Sequence, residues 1–224
     1  MMVPTTGPRP LPAGIRIAQA QAEHGAGVAA CVRAAYGVTA GDGGEWCIRA
    51  EDLRQQVQRF PAGQFVALAG ERVVGYASTM RTHRPPDLPA LKWIEAIGDM
   101  GIAAHEAAGD WLYGVEMTVQ PDWQGRGVGA ALYEARFALV RRLGLRGWYA
   151  GGMLIAYPQY ADRFSPQEYA VAVQQRQLRD PTVTMQMNRG FRAVSLIEEY
   201  LPGEPAMLIL WENPERAERS LTHG

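Results

Sequence analysis

The run Gln124-Gly125-Arg126-Gly127-Val128-Gly129 places three glycines in five positions, directly ahead of an amphipathic stretch. Glycine admits left-handed backbone and lets a main chain approach a ligand without Cβ clashes. The first turn of a helix leaves N–H groups without intrahelical partners, and the helix dipole adds partial positive charge there. Loop and helix together form a cradle for a phosphate or diphosphate. Close packing alone is the other use of such glycines. The loop lacks the Lys-Ser/Thr pair of a P-loop, which disfavours nucleoside triphosphate hydrolysis. Gly125, Gly127 and Ala130 also satisfy the dinucleotide pattern GxGxxA, but no carboxylate is suitably placed about 20 residues on. The histidines His24, His83, His105 and His223 are scattered, and no metal-binding pattern is expected.

The elements that must position this loop can be read around it. Residues 111–119 form an apolar strand that Pro121 ends. Val128, Ala131, Leu132, Ala135, Leu139 and Leu143 share one face of a following helix, which Gly144 closes. Upstream, the patterns predict a strand over 15–20, helices over 22–36 and about 53–60, and strands over 65–69 and 73–79 joined at Gly70-Glu71. A helical insertion is expected over 91–108. Downstream come a strand over 148–155, a capped helix opening at Ser165-Pro166-Gln167-Glu168, and a short helix from Asp180-Pro181. A closing hairpin of 191–201 and 206–211 turns at Pro202-Gly203. The order implies one α/β (α+β) domain over 14–213, with a mixed central sheet flanked by helices and inserted helical segments. Residues 1–13 read as a flexible leader and 214–224 as a polar tail.

The totals allow one sizeable core, or two at a stretch: 224 residues, 47% hydrophobic, with a formal net charge of −1. That balance gives no global basic field for nucleic acid or anionic lipid. No signal peptide and no membrane span are expected, because no apolar run nears the ~20 residues a span needs. The two cysteines, Cys31 and Cys47, form no disulfide framework, so a reducing cytoplasm is the default compartment.

The run from Met117-Thr118-Val119-Gln120-Pro121-Asp122-Trp123 through the glycine loop to Ala130-Ala131-Leu132 resembles the coenzyme-binding motif of the GNAT superfamily of acetyltransferases. In that motif Gln/Arg-x-x-Gly-x-Gly/Ala follows a strand ending in Val-x-Pro. Asn188-Arg189-Gly190-Phe191 resembles the family's late helix-to-strand junction, and the element order fits from about Ile15 to Trp211. The stretch from Gly151 to Pro214 is similar to a subgroup found fused to carbon–nitrogen hydrolases.

The resemblance implies an N-acetyltransferase that moves an acetyl group from acetyl-CoA to an amine by direct attack in a ternary complex. Gln124, Gly125, Arg126, Gly127, Val128, Gly129 and Ala130 would hold the diphosphate. The strand backbone at Met117, Thr118 and Val119 would pair with the pantetheine arm, and an N–H near Met117 would polarise the thioester carbonyl. Glu116 stands where the family often has a carboxylate and is the candidate general base; strand alternation points it away from Met117. The tyrosine that often protonates the leaving thiolate is replaced by Gln186, so Tyr157 and Tyr160 become the candidate acids. His105 is a candidate acceptor-binding residue. The acceptor would be a small-molecule or protein/peptide amine, and the resemblance allows a homodimer. A non-catalytic acyl-CoA sensor of the same fold and an NAD(P)-linked oxidoreductase are the rival readings.

Overall fold

The computed structural model describes residues 11–38 and 46–216. The expected leader and tail therefore lie largely outside the described residues. Seven strands hydrogen-bond in the order β1-β2-β3-β4-β5-β7-β6. They are β1 (Ile15–Gln19), β2 (Gln64–Ala69), β3 (Arg72–Thr82), β4 (Trp111–Val119), β5 (Gly147–Met153), β6 (Arg192–Leu201) and β7 (Glu204–Glu212). The helices are α1 (Gly25–Tyr36), α2 (Ala50–Arg59), α3 (Trp93–Ile97), α4 (Val128–Arg142), α5 (Pro166–Gln174) and α6 (Pro181–Met187). The β1/β2, β5/β7 and β6/β7 pairs are antiparallel, whereas β4 and β5 run parallel, so the sheet is mixed as expected. Among the described residues no helix is long and apolar enough to cross a membrane, and no cluster of side chains could hold a metal ion.

The chain forms two compact units. The first holds the described residues up to Met80, with Met100–Ala103 and Val115–Arg142. Its core joins Val28, Cys31 and Val32 of α1 and Leu53 of α2 to Val66, Leu68, Val73 and Tyr76 of the β2/β3 hairpin. The other face of that hairpin takes α4. A Cβ on Gly75 would stand 3.1 Å from Val128 Cγ1 and 3.2 Å from Leu132 Cδ1, so the missing side chain is what lets the helix lie so close. Sheet residues buried on both faces explain why β2 reads as continuous apolar sequence rather than an alternation.

The second unit holds Arg81–Asp99, Ala104–Gly114 and the described residues from Leu143 onward. Here the 4.9 Å T-shaped contact of Trp148 with Phe191, and those of Tyr149 with Trp111 and Tyr113, pack aromatic edges against faces. The expected capping box is present, with Ser165 Oγ accepting from the Glu168 N–H and Glu168 accepting from the Ser165 N–H. Fully buried Asp180 caps α6 by accepting from the amides of Thr182 and Val183, and its other oxygen accepts from the Ala156 N–H and the Tyr169 hydroxyl.

Two expectations need correction. The insertion over 91–108 is not a helix beyond the five residues of α3; the rest is turns, including Ile102 at φ +60°. On α4, Leu143 lies outside the helix and is exposed. The buried stripe runs instead through Val128, Leu132, Tyr133, Arg136, Phe137, Leu139 and Val140.

Candidate active site

The last turn of β4 and the start of α4 belong to the first unit, and their geometry follows from a few anchors. Gln120 is buried where the strand ends. Its N–H donates to Val74 O (2.9 Å), its Nε2 to Val73 O (3.0 Å), and its Oε1 accepts from Arg72 (2.5 Å). Pro121 opens a single tight turn, with the Trp123 N–H donating to Gln120 O and the Gln124 N–H to Pro121 O. The Gln124 side chain folds back to donate to Val119 O at 3.1 Å. Gly125 and Gly127 then take φ +70° and +88°, a region that other residues enter only at a cost. The first main-chain bond of α4 runs from the Ala131 N–H to Gly127 O. The amides of Gly127, Val128, Gly129 and Ala130 precede it, and no side chain among the described residues accepts from them. Arg126 lies over the Trp123 ring, 5.5 Å from its centroid, in an exposed position.

Strand alternation sorts the residues of β4 as expected. Met117 and Val119 face α4: the Arg136 guanidinium donates to Met117 Sδ at 2.7 Å, and a Cβ on Gly129 would lie 3.8 Å from Val119 Cγ2 and 3.9 Å from Met117 Cε. Glu116 faces α1. Its Oε1 accepts from the Tyr36 hydroxyl and from the Met117 N–H, both at 2.9 Å. Thr118 is on the same side, beside Cys31. The Met117 N–H read from sequence as a donor to a thioester is thus held by Glu116 in this structure. Burial raises the Glu116 carboxyl above the usual carboxylate range, opposed by the Tyr36 and Met117 hydrogen bonds and by the charge of Arg136. The parallel ladder between β4 and β5 runs from Trp111/Gly147 to Gly114/Ala150, so residues 115–119 lie beyond its last pair.

The other candidates belong to the second unit. His105 Nδ1 accepts from the Arg81 N–H at 3.1 Å, and burial together with the Arg81 charge lowers its pKa. Next to it, Glu106 accepts from the Thr82 hydroxyl and the His83 N–H. The Tyr157 hydroxyl donates to Phe164 O at 3.2 Å, and the Tyr160 ring packs on Tyr169 and Phe164 with Arg163 over it. Both tyrosines therefore have packing roles of their own. Gln186 is buried against Gly152, where a Cβ would come within 2.3 Å of its Oε1.

Sequence reasoning missed Tyr36 and Arg136. Arg136 had a signal: it interrupts the apolar i, i+4 row Val128, Leu132, Arg136, Val140, and a charge on a buried row is rarely idle. Tyr36, just before the α1 C-cap glycine, carried none.

Comparison with known proteins places this arrangement. Residues 33–154, more than half the chain, match the acetyltransferase (GNAT) family. A Bacillus subtilis protein described as the probable hydrolase YhcX is 31% identical over 168 residues, spanning 73% of this chain but only 33% of that protein. The chain thus covers about a third of that relative. The uncharacterized N-acetyltransferase YkwB of B. subtilis is 26% identical, with 73% of this chain and 74% of that protein covered. The fold is shared with the GNAT-like decarboxylase GphF in complex with isobutyryl-CoA (TM-score 0.72, 22% identity, 87% of this chain and 97% of that one). It is shared too with the loading GNAT-like domain of CurA from Lyngbya majuscula (TM-score 0.75, 17% identity, 90% and 99% covered). With its glycine loop, its β4 carboxylate and this match, the chain belongs to the acetyltransferase (GNAT) family.

Proposed function

We propose that this protein binds acetyl-CoA at the entrance of α4 and transfers the acetyl group to an amine. The observation that carries the reading is the row of uncapped amides at Gly127, Val128, Gly129 and Ala130, presented by two left-handed glycines. These amides and the helix dipole suit the coenzyme diphosphate. Gly129 takes no left-handed φ, and a Cβ there would meet only ordinary contacts, so its bare Cα leaves room for a ligand rather than for protein. The edge of β4 at Met117, Thr118 and Val119, beyond the last β5 pair, suits the amides of the pantetheine arm.

Glu116 is the base in this reading. An alkylammonium has a pKa near ~10 and must lose a proton before it can attack. Glu116 takes that proton, directly or through water. The neutral nitrogen attacks the thioester carbonyl, the C–N bond forms as the C–S bond breaks, and the thiolate leaves. The second nitrogen proton passes to the thiolate or to solvent. Burial makes Glu116 a stronger base than a free carboxylate, which fits the task. Tyr157 and Tyr160 remain proposals for the acid, weakened by the packing roles each already has, and His105 remains one for acceptor binding. Residues 14–213 would form the transferase domain, a homodimer is compatible with it, and the two buried free cysteines suit a cytoplasmic setting. The much longer relative fits the subgroup fused to hydrolases.

The test is thermal stability with acetyl-CoA and, separately, NADPH, followed by thiol release with a panel of small amines and peptide N-termini. Stabilisation by acetyl-CoA alone and amine-dependent thiol release are expected. Stabilisation by NADPH in its place would overturn the reading, and coenzyme binding without turnover would leave the sensor.

A further inference from the structure

Glu116 uses its oxygens unequally. Oε1 accepts both the Met117 N–H and the Tyr36 hydroxyl at 2.9 Å, while Oε2 accepts from no described residue. The Met117 bond folds the carboxylate back along its own strand, a geometry one rotamer change would undo. The Tyr36 hydroxyl comes from a different element, the last residue of α1. That end of the helix is fixed: Gly37 takes φ +67° and donates to Ala34 O, Val38 donates to Arg33 O, and Val28, Cys31 and Val32 anchor the helix in the core. Tyr36 itself is 57% exposed. Its ring is largely in solvent while burial and Glu116 raise the pKa of its hydroxyl, so a phenylalanine keeps the ring and removes the buried donor. Among the described residues its hydroxyl bonds to Glu116 alone.

We propose that Tyr36 is a positioning residue for the base: it ties Oε1 of Glu116 to the end of α1 and so presents Oε2 to the incoming amine. This rests on the reading of Glu116 as the base. The titratable and charged groups that act on the carboxylate are Tyr36, Cys31 and Cys47 on the α1 side, Tyr76 of β3, and, through charge alone, Arg136 of α4; the Met117 amide bonds it from its own strand. Tyr36 supplies a donor to the ionised form, so losing it makes the carboxylate easier to protonate.

The experiment uses the full chain labelled with δ-13C-glutamate, without any acceptor. The Glu116 resonance is assigned by its disappearance in Glu116→Gln and titrated in wild type and in Tyr36→Phe. The resonance in Tyr36→Phe is expected to titrate at higher pH. In parallel, with saturating acetyl-CoA and whichever amine the panel identifies, the acid limb of kcat/KM moves up and kcat falls about threefold to tenfold, the effect of one hydrogen bond. KM for acetyl-CoA is unchanged, because Tyr36 is not on the coenzyme loop. An unshifted Glu116 titration in a Tyr36→Phe protein of unchanged melting temperature overturns the proposal. As a check independent of any variant, ζ-13C-tyrosine in the wild type should show the Tyr36 ring carbon following the Glu116 titration, and its indifference would overturn the proposal equally. If both titrations behave as expected while Glu116→Gln transfers acetyl normally, the positioning stands and the base assignment fails.

Discussion

Arg72 on β3 donates to Gln120 Oε1 at 2.5 Å, while the Gln120 Nε2 holds Val73 O, so one glutamine clamps the end of β4 to the neighbouring strand. The tight turn Pro121–Trp123 and then the glycine loop follow this clamp. Gln120→Ala should cost about 1–3 kcal/mol, since it strips the buried Val73 carbonyl of its side-chain donor. It should also raise KM for acetyl-CoA more than it lowers kcat. Urea denaturation and initial rates check the two halves separately.

The three loop glycines are expected to divide. Gly125→Ala and Gly127→Ala force a side chain into left-handed backbone, at φ +70° and +88°, and should each cost about 1–2 kcal/mol as well as coenzyme affinity. Gly129→Ala should fold with unchanged stability, because its Cβ meets nothing closer than 3.8 Å. If the diphosphate sits where proposed, Gly129→Ala nonetheless loses the thermal shift that acetyl-CoA gives the wild type.

Glu116→Gln should lower acetyl transfer by about 10²- to 10⁴-fold, the span of general-base catalysis. It should also make the protein more stable at neutral pH. The sign follows from the direction of the shift: burial raises the folded carboxyl above its unfolded value, so the folded state binds more protons between the two pKa values. Wild-type stability therefore declines as pH rises from the ordinary carboxylate range through the raised value. The glutamine variant, whose Oε1 can still accept from Met117 and Tyr36, escapes that decline. Melting curves from pH 4 to 8 measure it.

Asp180→Ala should cost about 3–5 kcal/mol, because it leaves the buried donors of Thr182, Val183, Ala156 and Tyr169 without their acceptor. This is a large part of a typical domain stability of about 5–15 kcal/mol. Guanidinium titration checks it.

Cys31 should resist thiol reagents in the folded protein at pH 8. Burial pushes its thiol up to about 11, and it is fully enclosed. Labelling that keeps pace with global unfolding is the expected result.

How much of this was readable beforehand depends on where the information lies. The strand over 111–119 and a helix opening at Val128 after the loop are local patterns, and both are present. So is the end of the helix read over 22–36, which closes on Gly37 at φ +67°. The segment 91–108 misled because its order is tertiary. Arg81 and Thr82 are tied to His105 and Glu106 by hydrogen bonds to those side chains, which no local pattern in 91–108 announces. The face of α4 was misjudged at Leu143 because a residue past the helix end no longer follows its period. Tyr36 meets Glu116 across 80 residues of sequence, a distance no spacing rule reaches.

The bond from the Met117 amide to Glu116 Oε1 occupies the donor that the proposed thioester seat would use. If a thioester carbonyl takes that amide, as proposed, it evicts the carboxylate, which then keeps, among the described residues, only the Tyr36 donor and holds a proton more readily. On that reading coenzyme association and proton uptake would be a single equilibrium. Calorimetry in two buffers of unlike ionisation heat would register it as a difference in binding enthalpy, with affinity rising as the medium is made more acid.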